Sequence, residues 1–183
     1  DLAAPVPGVH VFVPTTVVLA TDVFDEFLRA NGLRDFALTS GDDHALVRRF
    51  LEAPLPAGVV ADLARFLEKA TWPLAVRSSS LLEDSQYQPF AGVYETYMLA
   101  NTARDPQVRL AALAEAIRRV YASTFSKRAK SYLAATDYRL EEEKMAVVLQ
   151  RLVGTARGWR FYPDVAGVAR SYNFYPVAPA RAE

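Results

Sequence analysis

The spacing of hydrophobic positions changes several times along the chain, and each change predicts an element. Residues 9–20 are rich in Val, Phe and Thr and are interrupted at Pro14, which predicts extended structure. Val23, Phe24, Phe27 and Leu28 then fall on one helical face, with Thr21 as a cap and Asn31-Gly32 as the stop. Asp42 or Asp43 caps a short helix through Phe50. Pro54 and Pro56 break the chain. Pro56 suits the first turn of a helix that gathers Val59, Val60, Leu63, Phe66 and Leu67 on one side. Residues 73–76 predict a short buried strand that runs into a polar, turn-prone Arg77-Ser-Ser-Ser80. Residues 81–92 read as a loop ending at Gly92, and residues 93–99 alternate as a strand. Asp105-Pro106 starts a helix with the stripe Leu110, Leu113, Ala114, Ile117, Val120 and Tyr121. Ser123 or Thr124 restarts a helix that runs to about Ala135. Residues 145–153 form the best strand of the chain, and residues 167–174 predict another after a turn at 162–164. The segment after Pro176 reads as frayed. Strands and helices mix without regular βαβ repetition, so the expected class is α+β, a mixed sheet flanked by helices.

Composition narrows the function. Twenty-one basic residues balance twenty-one acidic ones, a formal charge of zero. General binders of nucleic acid or membrane surfaces need excess cations, so neither partner is expected. Cysteine is absent, which excludes disulfides, thiolate metal sites and cysteine nucleophiles. His10 and His44 are the two histidines, too few for a His-rich zinc site, and each reads as a surface or structural residue. No apolar run approaches the roughly 20 residues that a transmembrane helix needs. A cytoplasmic protein is expected.

The segment with most chemistry runs from Ala75 to Asp84 and on to Tyr97. Arg77 follows an apolar strand, where its side chain can project into a cleft. Three serines follow and offer hydroxyl and backbone donors. A guanidinium fork beside such donors suits phosphate oxygens. Glu83 and Asp84 can orient Arg77 or bind a metal ion, and Gly92 permits a turn that a side chain would block. The competing reading is a capped turn with a structural Arg–carboxylate pair. No Gly-rich run followed by Lys-Ser/Thr occurs, so this is not a P-loop. Residues 141–144 (Glu-Glu-Glu-Lys) read as a solvated face. Arg118, Arg119, Lys127, Arg128 and Lys130 form a basic stretch that faces solvent, phosphates or a partner domain. Tyr162, Tyr172, Phe174 and Tyr175 read as core rather than as a stacking platform for single strands.

The order Val76-Arg77-Ser78-Ser79, Glu83-Asp84, Phe90-Ala91-Gly92, Glu95-Thr96-Tyr97 resembles the signature of the PEP/pyruvate-binding family. This is the ATP-grasp nucleotide-binding region of phosphoenolpyruvate synthase and pyruvate phosphate dikinase. Tyr121 to Phe125 with Arg128-Ala129 and Ser131-Tyr132 is similar to the family's next helix. Val147 to Val153 is similar to the strand that leads to the adenine hinge. Ala166-Gly167-Val168 and Pro5 to Thr16 resemble further family segments, so the likeness covers nearly the whole chain.

The resemblance implies an ATP-dependent dikinase region. ATP would pass a phosphoryl group to a His on a separate swivelling domain, then to pyruvate on a third domain. Arg77 would be the catalytic group on the ATP phosphates. Ser78, Ser79, Ser80, Gly92 and Glu95 would line the phosphate end, and Gln150, Leu152 and Val153 would lie near the adenine. Ser80, Leu81 and Leu82 depart from the family, where smaller or more polar residues are usual. The family's Gly-Lys-rich loop would lie before Pro5, and the acidic ligands of Mg²⁺ beyond Glu183. The chain therefore reads as a single-domain fragment of a larger multidomain protein, inactive on its own, with ATP and Mg²⁺ as cofactors. A related phosphotransferase with another acceptor, and a non-catalytic nucleotide-binding or interaction domain, are the rival readings.

Overall fold

The computed structural model describes residues 10–80, 82–83, 92–136 and 138–168. The chain divides into two compact units, Asp1–Leu152 and Val153–Glu183. In the first, strands β1 (Thr16–Leu19), β2 (Leu74–Ser79), β3 (Thr96–Leu99) and β4 (Ala146–Arg151) form one sheet in the order β1-β4-β2-β3. All three pairings are antiparallel, where the sequence suggested a mixed sheet. The reason is topological. A parallel neighbour needs a crossover that returns the chain beside its own strand. Here the two helices after β3 deliver β4 between β1 and β2 instead.

Period-two alternation gives this sheet two different faces. Leu74, Val76, Val147 and Leu149 are buried on the inner face. Arg77 lies opposite Val148 on one side and Thr96 on the other, and so belongs to the outer face. That face is exposed at Thr16, Val18, Arg77, Thr96 and Met98. The expected arrangement, the strand ending at Val76 beside those at 93–99 and 145–153, is the one observed. The strand does not stop at Val76, however. Ser78 pairs with Val147 and Ser79 with Ala146, so the polar turn expected at 77–80 is strand as far as Ser79. Pairing with the long β4 outweighs the weak strand preference of serine. Strand β3 begins only at Thr96, because Val93 and Tyr94 are buried in the turn that precedes it.

Helices α1 (Thr21–Ala30), α2 (Arg34–Thr39), α3 (Asp43–Glu52), α4 (Ala57–Lys69), α5 (Pro106–Ser123) and α6 (Lys127–Leu133) complete the unit. Asp42 caps α3 by accepting from the His44 N–H at 2.9 Å, and Asp105 caps α5 by accepting from that of Gln107 at 2.8 Å. Three expected starts differ. Ala20 rather than Thr21 occupies the N-cap position of α1 and Pro56 that of α4, both without a side-chain cap, and Ser126 caps α6, accepting from the Ala129 N–H at 3.2 Å. Helix α2 has no sequence signal, since its six residues bury only Ala37. Leu113, Ile117 and Val120 of α5 are fully buried, and Leu110 packs at the margin.

The core behind the inner face is aromatic. The Tyr121 ring lies tilted against Phe24 and Phe27, with ring centroids 5.0 and 5.4 Å away, and Phe50 and Phe125 extend the group. The Tyr121 hydroxyl is buried with no hydrogen-bond partner among the described residues. Burial in apolar surroundings pushes its ionisation up. An unpaired buried hydroxyl destabilises, so Tyr121→Phe is expected to raise stability by about 1 kcal/mol. Urea denaturation of the two proteins measures it, and a loss of stability would show that the hydroxyl has a partner.

The second unit contributes a hairpin that the sequence reading missed: β5 (Thr155–Arg157) and β6 (Arg160–Tyr162), antiparallel about a turn in which Gly158 has φ +64°. Tyr162 therefore ends a strand instead of opening a turn. Gly167 and Val168 are not in a strand. The rest of the strand expected at 167–174, the aromatic residues Tyr172, Phe174 and Tyr175, and the tail after Pro176 lie outside the described residues.

Candidate functional site

Strand parity places Arg77 on the outer face, near the point where β3 stops covering β2. Its Nη1 donates to Gln150 Oε1 at 3.3 Å, and Gln150 Nε2 donates to Thr16 Oγ1 at 3.3 Å. A neutral amide thus orients the guanidinium, and no carboxylate pairs with it among the described residues. Of the carboxylates weighed from the sequence as its structural partner, Glu83 does not pair with it, and Asp84 lies outside the described residues. The cation keeps its charge available for an anion.

Beside it lies a concavity of about 410 Å³ lined by Arg77, Ser78, Ser79, Glu83, Gly92, Tyr94, Thr96 and Val148. Ser78 Oγ donates to Glu83 Oε1 at 2.9 Å. The Glu83 carboxylate therefore orients a serine and not Arg77. Gly92 has φ +77°, yet a Cβ built there meets nothing within 4 Å. Backbone conformation, not space, calls for glycine at this position.

A second concavity, about 400 Å³, shares Ser79 and adds Thr21, Ser80, Glu142, Glu143, Lys144 and Ala146. Glu143 and Ser80 both line this second hollow and are buried. The Tyr94 hydroxyl donates to Glu143 Oε1 at 3.0 Å. Burial pushes the Glu143 carboxyl above its ordinary value, aided by the Glu83 charge and opposed by the Ser80 and Tyr94 hydrogen bonds. Burial and the Glu143 charge push the Tyr94 phenol up as well.

This has a pH consequence. A carboxyl whose folded-state pKa is raised contributes stability while protonated, and loses it as pH rises from the ordinary value of 4.5 through the folded value. Glu143→Gln is expected to flatten that part of the Tm-against-pH curve. Parallel curves for the two proteins between pH 4 and 8 would show that Glu143 does not titrate abnormally.

The structure gathers Arg77, Ser78, Ser79 and Gly92 around one cavity and ties Gln150 to Arg77. Ser80 lies behind the cavity wall. Glu95 is exposed and does not line it, and its backbone N–H donates to Ser123 Oγ at 3.2 Å. Leu152 leaves β4 with its N–H donating to the Pro73 carbonyl at 2.9 Å, and Val153 opens the second unit. Much of the basic stretch is structural. Arg118 donates to the carbonyls of Leu51 and Ala53, Lys130 to those of Ala37 and Ser40, and Arg119 pairs with Glu115 at 2.8 Å. Among the described residues no group of three or more His, Cys, Asp or Glu could hold a metal ion, and no helix is long and apolar enough to cross a membrane.

Sequence reasoning missed Glu143, Tyr94 and Val148. Glu143 had a signal: it shares strand parity with Met145, Val147 and Leu149, all buried, so alternation extended backwards puts it inside.

A cation on the outer face of a central strand, hydroxyls beside it and a polar hollow in front of it make a domain able to hold anionic oxygens. Residues 5–182 match the model of the pyruvate phosphate dikinase AMP/ATP-binding domain, and the chain belongs to that family. It is 26% identical over 141 residues to an uncharacterized phosphotransferase of Bacillus subtilis, YvkC, covering 77% of this chain and 16% of that protein. It is 33% identical over 84 residues to a probable phosphoenolpyruvate synthase of Archaeoglobus fulgidus, covering 46% of this chain and 10% of that protein. The chain thus corresponds to a small part of each relative's length.

Proposed function

We propose that this chain is the ATP-binding portion of a phosphoenolpyruvate synthase-like dikinase, in an ATP-grasp arrangement completed by segments beyond it. Arg77 binds the ATP phosphates from the outer face of β2, and Ser78 and Ser79 supply hydroxyls beside them. The observation that carries this reading is the guanidinium with no carboxylate partner among the described residues, in a hydroxyl-lined hollow, within a chain of the AMP/ATP-binding family. Fixed cations and donors around a transferring phosphoryl group are the main source of catalysis in such reactions. The phosphoryl group then passes to a His on a separate swivelling domain and on to pyruvate. The same reading takes Mg²⁺ as a cofactor, with its ligands outside this chain. We place the parent in the cytoplasm as part of the same reading.

The relative named as a phosphotransferase favours a second reading, transfer to an acceptor other than pyruvate. The test incubates the full-length protein with ATP, Mg²⁺ and pyruvate. Phosphoenolpyruvate with AMP and phosphate supports the dikinase. ATP binding with no pyruvate-dependent AMP favours the other acceptor. No ATP binding leaves a domain that kept the fold without the chemistry.

A further inference from the structure

Glu143 occupies a position where strand parity calls for an apolar side chain, and it is only 7% exposed. Burying a carboxyl there costs more than burying a hydrocarbon of similar size, so the hydrogen bonds it makes must offset that cost. Tyr94, just before β3, donates to the carboxyl, and Ser80, just after β2, is buried in the same hollow, so the carboxyl sits between both ends of the connection between the two strands. The network continues to the cavity wall: the Glu83 N–H donates to Ser80 Oγ at 3.4 Å, and Ser78 Oγ donates to Glu83 Oε1 at 2.9 Å.

We propose that Glu143 is a positioning residue that clamps both ends of the β2–β3 connection and so holds Ser78, Glu83 and Tyr94 in the wall of the Arg77 cavity. This rests on reading that cavity as the nucleotide phosphate site. Donors help a charged ligand most when they are already oriented, because no reorganisation is then needed as the charge arrives. Such orientation comes from buried partners that lock the side chains behind the site. Ser80, Tyr94 and Glu83 are the groups that face the Glu143 carboxyl, and Glu83 and Tyr94 also line the cavity.

The test uses the full-length protein with Mg²⁺-ATP as the probe. Affinity is measured by calorimetry well below the melting temperature, alongside Tm, for the parent, Glu143→Gln, Glu143→Leu and Tyr94→Phe. Glu143→Leu keeps the bulk and loses both acceptors, and is expected to weaken ATP binding by about tenfold or more, the scale of a small displacement of positioning groups. Glu143→Gln keeps an acceptor oxygen for the Tyr94 hydroxyl and should stay within about threefold of the parent, a difference under 1 kcal/mol. Tyr94→Phe removes one arm of the clamp and should fall between them. It carries the same test if Glu143→Leu does not fold. A lowered Tm with unchanged affinity in Glu143→Leu or Tyr94→Phe overturns the proposal and leaves a purely structural carboxyl.

If the parent itself binds no ATP, the nucleotide reading fails, and amide hydrogen exchange then judges the clamp alone. Glu143→Leu must speed exchange at residues 93–96 while α4 stays unchanged. Equal exchange at both overturns the clamp as well.

Discussion

Arg77→Ala in the full-length protein is expected to cut phosphoryl transfer by roughly a hundredfold to a thousandfold, equivalent to about 2–4 kcal/mol, the scale of losing one preorganised donor from a transition state. Folding should change little. The side chain is exposed, and among the described residues it pairs with no carboxylate and makes a single hydrogen bond, at 3.3 Å, to a neutral amide. Such a contact at the surface contributes little to stability. Its charge is a different matter, since attraction to phosphate oxygens grows as charge shifts during transfer, and the loss should appear in kcat as well as in affinity. Arg77→Lys should restore only part of the rate, because an ammonium keeps the charge and lacks the planar fork. A structural arginine would behave in the opposite way, with a lowered Tm and near-normal turnover in the folded fraction. Steady-state rates and melting curves for both variants separate the two, and unchanged turnover in folded Arg77→Ala removes this residue from the site.

The parts of this architecture that could be read from the chain are those set by a long run of one period. The stripe of α5 has Asp105-Pro106 ahead of it and several turns to repeat itself, and its burial follows. The strand at β4 alternates over its whole length. Short elements lack that repetition, so α2 and the β5–β6 hairpin left no trace strong enough to read. The serine run misled for a different reason. Serine favours turns locally, and only its pairing with β4, some seventy residues away in sequence, makes it strand. The correction matters for the site, because Ser78 and Ser79 meet the cavity from a paired strand and not from a free turn. Distance in sequence also hid the roles of Arg118 and Lys130, which satisfy carbonyls at the ends of α3 and α2. Residue type alone marked Arg77, Ser78, Ser79 and Gly92 as candidates. It could not mark Glu143, because a run of three glutamates looks solvated until strand parity assigns one of them inward.

Phe27→Ala is expected to show the complementary behaviour, a large loss of stability with the site chemistry intact. Phe27 is fully buried on α1, where its ring meets Phe50 at 5.8 Å and Tyr121 at 5.4 Å between centroids. Three elements, α1, α3 and α5, therefore meet at this ring. Truncation removes its burial and leaves a cavity walled by side chains on separate helices, which cannot all move in together. The expected cost is about 3–5 kcal/mol, as for other buried Phe to Ala changes. For a domain of marginal stability that is a large share of the total. The ring lies behind the inner face of the sheet, whereas Arg77 is on the outer face, so the folded fraction should still bind ATP with the parent's affinity. Urea denaturation gives the stability loss, and calorimetry at low temperature gives the affinity. A loss below about 1 kcal/mol would mean that the aromatic cluster collapses to fill the space. An equal loss of affinity in the folded protein would mean that the core transmits strain to the outer face, and Arg77→Ala could then no longer be read as a local effect.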